Sequence, residues 1–239
     1  MDRDFLKEVI LDLNIDIELT DKMLDQFVLY YELLMEKNKV MNLTAIKEEK
    51  EVVIKHFADS LSLLKANHIE DDKRVIDIGT GAGFPSIPLK IMLPKVHFTL
   101  VDSLNKRIKF LDEVIEALGL TKIETIHSRV EDLAFNKKYR EKFDICVARA
   151  VANFSVLSEF CSPFVISDGL LIALKGKTYE EELKGSKVAL KEMKLDLEDV
   201  TEVVLPKTDI KHYIVTLRKL SKISTKYPRK AGIINKNPL

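Results

Sequence analysis

The chain has 239 residues, of which 46% are hydrophobic and 32% charged, enough for one well-buried core and too few for two full-sized domains with linkers. No run approaches the apolar length of a membrane span, Met1-Asp2-Arg3-Asp4 lacks the basic-then-apolar order of a secretion signal, and two cysteines, Cys146 and Cys161, resemble neither a disulfide framework nor a four-ligand zinc site. Its 38 basic residues balance 38 acidic ones, so bulk charge points to no polyanionic partner; a soluble, cytoplasmic protein without a metal is expected, and a monomer, although composition does not fix the oligomeric state.

The amino-terminal part reads as helical. Thr20 and Asp21 suit a cap, and Met23, Phe27, Tyr30, Tyr31 and Leu34 then recur at helical spacing to give one apolar face. Phe57, Leu61 and Leu64 continue the helical pattern. From Arg74 onward short apolar runs alternate with amphipathic helices, as in a parallel α/β sheet: residues 74–78, 96–101, 122–126, 143–148 and 170–175. The helix after the second run carries Leu104, Ile108, Leu111, Ile115 and Leu118 on one stripe, with Ser103 as its cap and Gly119 as its stop. A long polar helix follows Lys177. Two further runs, 200–205 and 213–217, are joined through Pro206-Lys207-Thr208-Asp209, too short for a parallel crossover, so the sheet should end in an antiparallel hairpin. The expected division is a helical extension at 1–66 packed on a core at 67–220, then a tail at 221–239.

Val75-Ile76-Asp77-Ile78-Gly79-Thr80-Gly81-Ala82-Gly83-Phe84-Pro85 places three alternate glycines after a buried strand, where the backbone can turn sharply and approach a ligand without a β-carbon in the way. An NTPase phosphate loop would end in Gly-Lys-Ser/Thr, and a dinucleotide site would want a glycine where Phe84 stands. S-adenosylmethionine has no phosphate to hold, and Asp77 suits its ammonium end. Asp102, closing the next strand, suits a ribose, which an NAD enzyme would also bind this way. After the third strand, the Val130 amide and the Glu131 carboxylate suit an adenine edge, although Glu131 reads equally well as a solvated acid. The sheet pattern and this loop together fit the seven-stranded class I, Rossmann-like methyltransferase fold by analogy.

Several segments in order resemble the RsmG family, also called glucose-inhibited division protein B. They are Met41 to Ile46, His56 to Leu61, the glycine loop with Phe84-Pro85, Asp102-Ser103 with Lys106-Arg107, Ser128 to Glu131, Ala148 to Val151, and Lys226 to Gly232. The resemblance implies an S-adenosylmethionine-dependent enzyme that methylates N7 of one guanine in 16S ribosomal RNA of the small ribosomal subunit. It implies cofactor contacts at Gly79, Phe84, Val130, Glu131 and Arg149. Val130 stands where family members often have alanine, and Ala231 to Lys236 departs from the family's more polar stretch.

Guanine N7 carries an unprotonated lone pair, so no general base is required and alignment is the main task. Ala148-Arg149-Ala150-Val151 carries neither the Asn/Asp-Pro-Pro-aromatic signature of base-amine enzymes nor a cysteine nucleophile. Arg149 is the expected orienting residue, through the cofactor carboxylate, guanine O6 or a phosphate. From Pro206 to the end, nine Lys/Arg face one acid, Asp209. Lys222, Lys226, Arg229 and Lys230, with Tyr227 among them, suit phosphates and a stacked base once the resemblance is weighed against a merely solvated end. His56, Asp59 and Asn42 receive no role. A small-molecule or protein methyltransferase, or a binding protein that keeps the fold without catalysis, are the rival classes.

Overall fold

The computed structural model describes residues 1–149 and 152–239. Seven strands pair into one sheet: β1 (Arg74–Ile78), β2 (His97–Asp102), β3 (Ile123–His127), β4 (Phe143–Arg149), β5 (Val165–Lys175), β6 (Leu195–Val204) and β7 (Lys211–Lys219). Their spatial order is β3-β2-β1-β4-β5-β7-β6. The first five are parallel, and β7 runs antiparallel to both β5 and β6. The hairpin is therefore present, with its second strand inserted beside β5 and its first left at the edge. Strand order reverses between β1 and β4, so the chains leaving their carboxyl ends diverge and open a crevice there.

Strand alternation sends Val75 to one face of the sheet and Ile76 and Ile78 to the other. The first face is covered by α1 (Arg3–Asp12), α2 (Asp21–Met41), a helical run at 49–66, α5 (Ser86–Met92) and α6 (Asn105–Ala117). That run has mixed geometry: α3 (Glu49–Val52), a wide π-type stretch at Val53–Ala58, α4 (Asp59–Leu61) and a tight 3₁₀ turn at Ser62–Ala66. Leu6, Phe27, Tyr30 and Phe57 share one continuous core with Val75, Leu100 and Ile145, so the amino-terminal helices and the sheet bury the same apolar surface. The second face is covered by α7 (Val130–Leu133), α8 (Phe154–Cys161), α9 (Tyr179–Gly185), α10 (Lys187–Glu192) and α11 (Ala231–Lys236). Among the described residues no helix is long and apolar enough to cross a membrane.

Local chemistry explains where the elements start and stop. Thr20 caps α2 by accepting from the Met23 amide, as its position predicts, while Asn42 ends that helix in the left-handed conformation. Two of the expected details differ. Ser103 does not cap α6: the Asp102 carboxylate accepts from the Leu104 amide at 2.8 Å, and Leu104, 43% exposed, falls off the apolar stripe while Phe110 and Val114 enter the core. The polar helix after Lys177 is two helices, interrupted at Gly185-Ser186, where the buried Ser186 hydroxyl accepts from Ser155 at 3.0 Å. Cys146 and Cys161 are both buried free thiols, in β4 and α8.

Candidate functional site

The turn after β1 holds Gly79, Gly81 and Gly83 at φ of 73°, 63° and 103°, left-handed values that L side chains resist. The three glycines serve different ends. A β-carbon on Gly83 would sit 2.6 Å from Ile87 and 2.9 Å from both Leu111 and the Tyr30 hydroxyl, so its bareness lets α2, α5 and α6 close on the turn. At Gly81 a β-carbon would meet only the Gly79 carbonyl, at 3.9 Å, and conformation alone asks for glycine. The buried Tyr30 hydroxyl donates to the Ala82 carbonyl at 2.6 Å, locking the turn to α2.

Asp77, directly before this turn, is 1% exposed, and neither carboxylate oxygen has a hydrogen-bond partner. Burial pushes its pKa up to about 7, opposed by the neighbouring Thr80 and Ser86 hydroxyls and by the Arg149 charge. Both hydroxyls are themselves buried without another hydrogen-bond partner. An orphaned carboxylate of this kind is costly until a cationic donor meets it.

Beside it opens a cavity of about 330 Å³, lined by Gly79, Asp102, Val130 and Glu131 among others; Asp77, Gly81, Gly83 and Phe84 do not line it. Asp102 already accepts from the Gly81 amide at 3.0 Å, the Leu104 amide at 2.8 Å and Arg107 at 3.1 Å. A carboxylate has roughly four acceptor sites. Asp102 can thus take one further donor, and a second only if the half-exposed Arg107 lets go. The Val130 amide opens α7 and is unengaged among the described residues.

A second cleft, of about 570 Å³, gathers Lys55, His56, Asp59, Arg149, Lys175, Glu182 and His212. Arg149 lies here and not among the residues lining the first cavity. Its guanidinium donates to Asp59 at 2.9 Å, to the Lys55 carbonyl at 3.1 Å and to His56 Nδ1 at 3.3 Å, leaving two of its five N–H groups for other partners. It also covers the Phe84 ring at 4.9 Å, on which His56 stacks at 4.5 Å. Because arginine can only donate, His56 Nδ1 accepts, and Nε2 carries the proton toward Thr44 Oγ1 at 2.7 Å. Burial and the Arg149 charge pull His56 down to about 4, so it is neutral at pH 7. Asp59 joins Arg149 to His212, whose pKa is raised chiefly by that hydrogen bond. Asn38 holds both the amide and the carbonyl of Thr44, so the Asn42-Leu43-Thr44 segment orients His56.

Residues 23–212 match the family model described as rRNA small subunit methyltransferase G (GidB). The chain belongs to this family. Among curated relatives named ribosomal RNA small subunit methyltransferase G, one from Thermoanaerobacter sp. (strain X514) is 54% identical over 215 residues, covering 90% of each chain. Another, from Alkaliphilus oremlandii (strain OhILAs), is 46% identical over 237 residues, covering 99% of this chain and 98% of the relative. An S-adenosylmethionine-dependent methyltransferase from Aquifex aeolicus has a similar structure, with TM-score 0.54 at 18% identity over 74% of this chain and 97% of that one. TYW2 from M. jannaschii, solved in complex with AdoMet, has TM-score 0.53 at 14% identity over 68% of this chain and 77% of its own. These two likenesses show the class I methyltransferase fold.

The tail of this family member is folded against the second face of the sheet, and two of the five residues expected to meet RNA, Tyr227 and Arg229, are engaged within the protein. Tyr227 is 5% exposed and its hydroxyl donates to Glu192 at 2.9 Å, so its ring is not free to stack on a base. Arg229 grips the fully buried Glu159 through Nε and Nη2, at 2.7 Å for the closer contact, so its charge is already paired within the protein and only its remaining N–H groups face outward. Lys222, Lys226 and Lys230 do point to solvent. Six of the nine cations that follow Pro206 pair with acids from other segments: Lys207, Lys211, Arg218, Lys219, Lys226 and Arg229. Ala150 and Val151, part of the motif around Arg149, lie outside the described residues. Lys175, Glu182 and His212 were missed in the sequence. Lys175 at the carboxyl end of β5 had the one usable signal, its place at the end of a parallel strand.

Proposed function

We propose that the chain transfers a methyl group from S-adenosylmethionine to N7 of a guanine in 16S ribosomal RNA. The observation that carries the cofactor is the buried, unpartnered Asp77 beside a glycine turn, a carboxylate whose surroundings call for an ammonium group. Asp77 would hold that group, Asp102 a ribose hydroxyl, and the Val130 amide with Glu131 the adenine edge, while Gly79 lets the backbone approach. The bound cofactor supplies an electrophilic methyl group on a sulfonium centre.

Guanine N7 needs no deprotonation, so the residues of the cleft position rather than activate. Arg149, clamped by Asp59 and the Lys55 carbonyl and seated on Phe84, offers its two remaining N–H groups to guanine O6 or a phosphate. Donation to N7 itself would block the attacking lone pair. Alignment of this kind contributes up to roughly 7 to 11 kcal/mol. Residues 1–66 supply one wall of the cleft, 67–220 the cofactor cavity, and the outward lysines of 221–239 contact RNA. Family membership favours RNA over a small-molecule acceptor.

Incubating the protein with labelled S-adenosylmethionine and unmodified small subunits, followed by borohydride and aniline cleavage, tests the assignment. A single cleavage at one guanine in the labelled RNA is expected. Label in another base, or none, overturns it.

A further inference from the structure

The fold assembles a row of lysines that is disguised in the sequence by neighbouring acids. Lys184, Lys187, Lys191 and Lys194 are exposed and line a groove of about 550 Å³ whose lining includes Leu183 and Leu220 and a single acid, Asp196. Of the other acids nearby, Glu182 holds Lys175, Glu192 holds Tyr227 and Lys226, and exposed Glu181 does not line the groove. Glu180 reaches Lys184 only at 3.8 Å, and among the described residues Lys187, Lys191 and Lys194 have no ion-pair partner. The tail extends the row. The Leu220 amide donates to the Lys194 carbonyl at 2.8 Å, which brings exposed Lys222 alongside, and Lys226 stands over α10 at Glu192.

This groove adjoins the cleft across one helix. Glu182 of α9 lines the cleft, while its neighbours Leu183 and Lys184 line the groove, and a helix with its side chains is about 10 Å across. Lys187 and Lys191 lie one turn apart on α10, roughly 5.4 Å along the axis, continuing away from α9. A polyanion leaving the cleft across α9 would meet Lys184 first, and the row then runs toward the amino end of β5, where Leu195 pairs with Lys219 and Leu170 with Arg218.

We propose that the groove along α9 and α10 carries the phosphate backbone of the RNA strand whose target base enters the cleft. This rests on the cleft being the site of RNA methylation. The charge of the groove, with one acid against four unopposed or weakly opposed lysines, and its continuity with the cleft favour an RNA strand over an acidic polypeptide.

The test compares the full chain with the triple variant Lys187→Gln, Lys191→Gln, Lys194→Gln, using deproteinised, unmodified small-subunit RNA over a salt series. The variant should bind about tenfold or more weakly near 0.1 M salt, and its log–log salt slope should flatten by roughly two to three, since each lost phosphate contact removes about 0.7 to 0.9. Its affinity for S-adenosylmethionine, measured by calorimetry, should be unchanged. An unaltered Kd and slope overturn the proposal. So does a variant that binds naked RNA normally and loses affinity only for assembled subunits, which would assign the groove to a ribosomal protein. A wild-type chain that binds this RNA with the expected salt slope yet methylates neither it nor the subunit would refute the reading of the cleft instead.

Discussion

At the carboxyl end of β1, Asp77 is held at a pKa of about 7 by burial, against an ordinary value of 3.8. The sign of the linkage follows. Between those values the folded state binds the proton more tightly than the unfolded one, so the stability contributed by this group is fully present below about pH 4 and is lost as pH rises toward 7. Asp77→Asn removes the titration. The stability of the variant relative to wild type should therefore rise with pH by up to about 4 kcal/mol and level off above pH 7, as read by denaturant melts of cofactor-free protein. A pH-independent difference would show that Asp77 is not held protonated. On the proposed reading of the site the same variant should also lose S-adenosylmethionine affinity, because the carboxylate assigned to the ammonium group is gone. Arg149 presents a different case. Arg149→Ala leaves Asp59 buried beside His212 alone, and breaking such a pair costs about 3 kcal/mol or more, so loss of activity in that variant mixes folding with function. Arg149→Lys keeps the charge but cannot serve Asp59, the Lys55 carbonyl and His56 at once. A fall in kcat of at least about tenfold with a melting temperature within a few degrees of wild type is expected; unchanged kcat would remove Arg149 from the positioning machinery.

Elements were legible in the sequence to the extent that one local rule governed them. Strand β1 and the glycine turn follow from an apolar run and residues with no β-carbon, and Thr20 caps α2 because capping is decided within four residues. The α6 start was misread because its amide is taken by Asp102, a residue already assigned to the cofactor. The cleft was legible only in part. Arg149 and the segments around His56 and Asp59 could be singled out, yet their convergence spans some ninety residues and no periodicity encodes it. The tail illustrates the same limit, since a charge run says nothing of the acids that the fold brings to it. Ile223, Tyr227 and Ile234 are buried and Arg229 satisfies Glu159, so removing residues after Leu220 does more than strip cations. That truncation should lower the melting temperature by several degrees, with Glu159 left unpaired in an apolar setting. Lys226→Gln with Lys230→Gln should weaken RNA binding with no such loss, and an unshifted melting temperature in the truncation would contradict the packing described for α11.

For the whole molecule, the arrangement of the core decides what can be detached. The amino-terminal helices and one face of the sheet form a single apolar cluster, and Tyr30 reaches from α2 to the glycine turn while Asp59 and Arg149 join the helical run to β4. Each of these contacts crosses the boundary near residue 66. Unfolding the helices alone would expose Val75, Ile87, Leu100 and Leu111 to water and leave the Ala82 carbonyl and Arg149 without their partners. The side chains newly exposed on the sheet side cost about 1.5 to 3 kcal/mol each, on top of the packing that the helices themselves give up, so the helices and the sheet should unfold together. Heating should therefore give one calorimetric transition whose van't Hoff and calorimetric enthalpies agree, and a chain lacking residues 1–66 should lack sharp near-ultraviolet dichroism and bind hydrophobic dyes. Two resolved transitions, or a shortened chain that still binds S-adenosylmethionine with native affinity, would mean that the cofactor cavity is built by the sheet alone and that the helices serve only the substrate cleft.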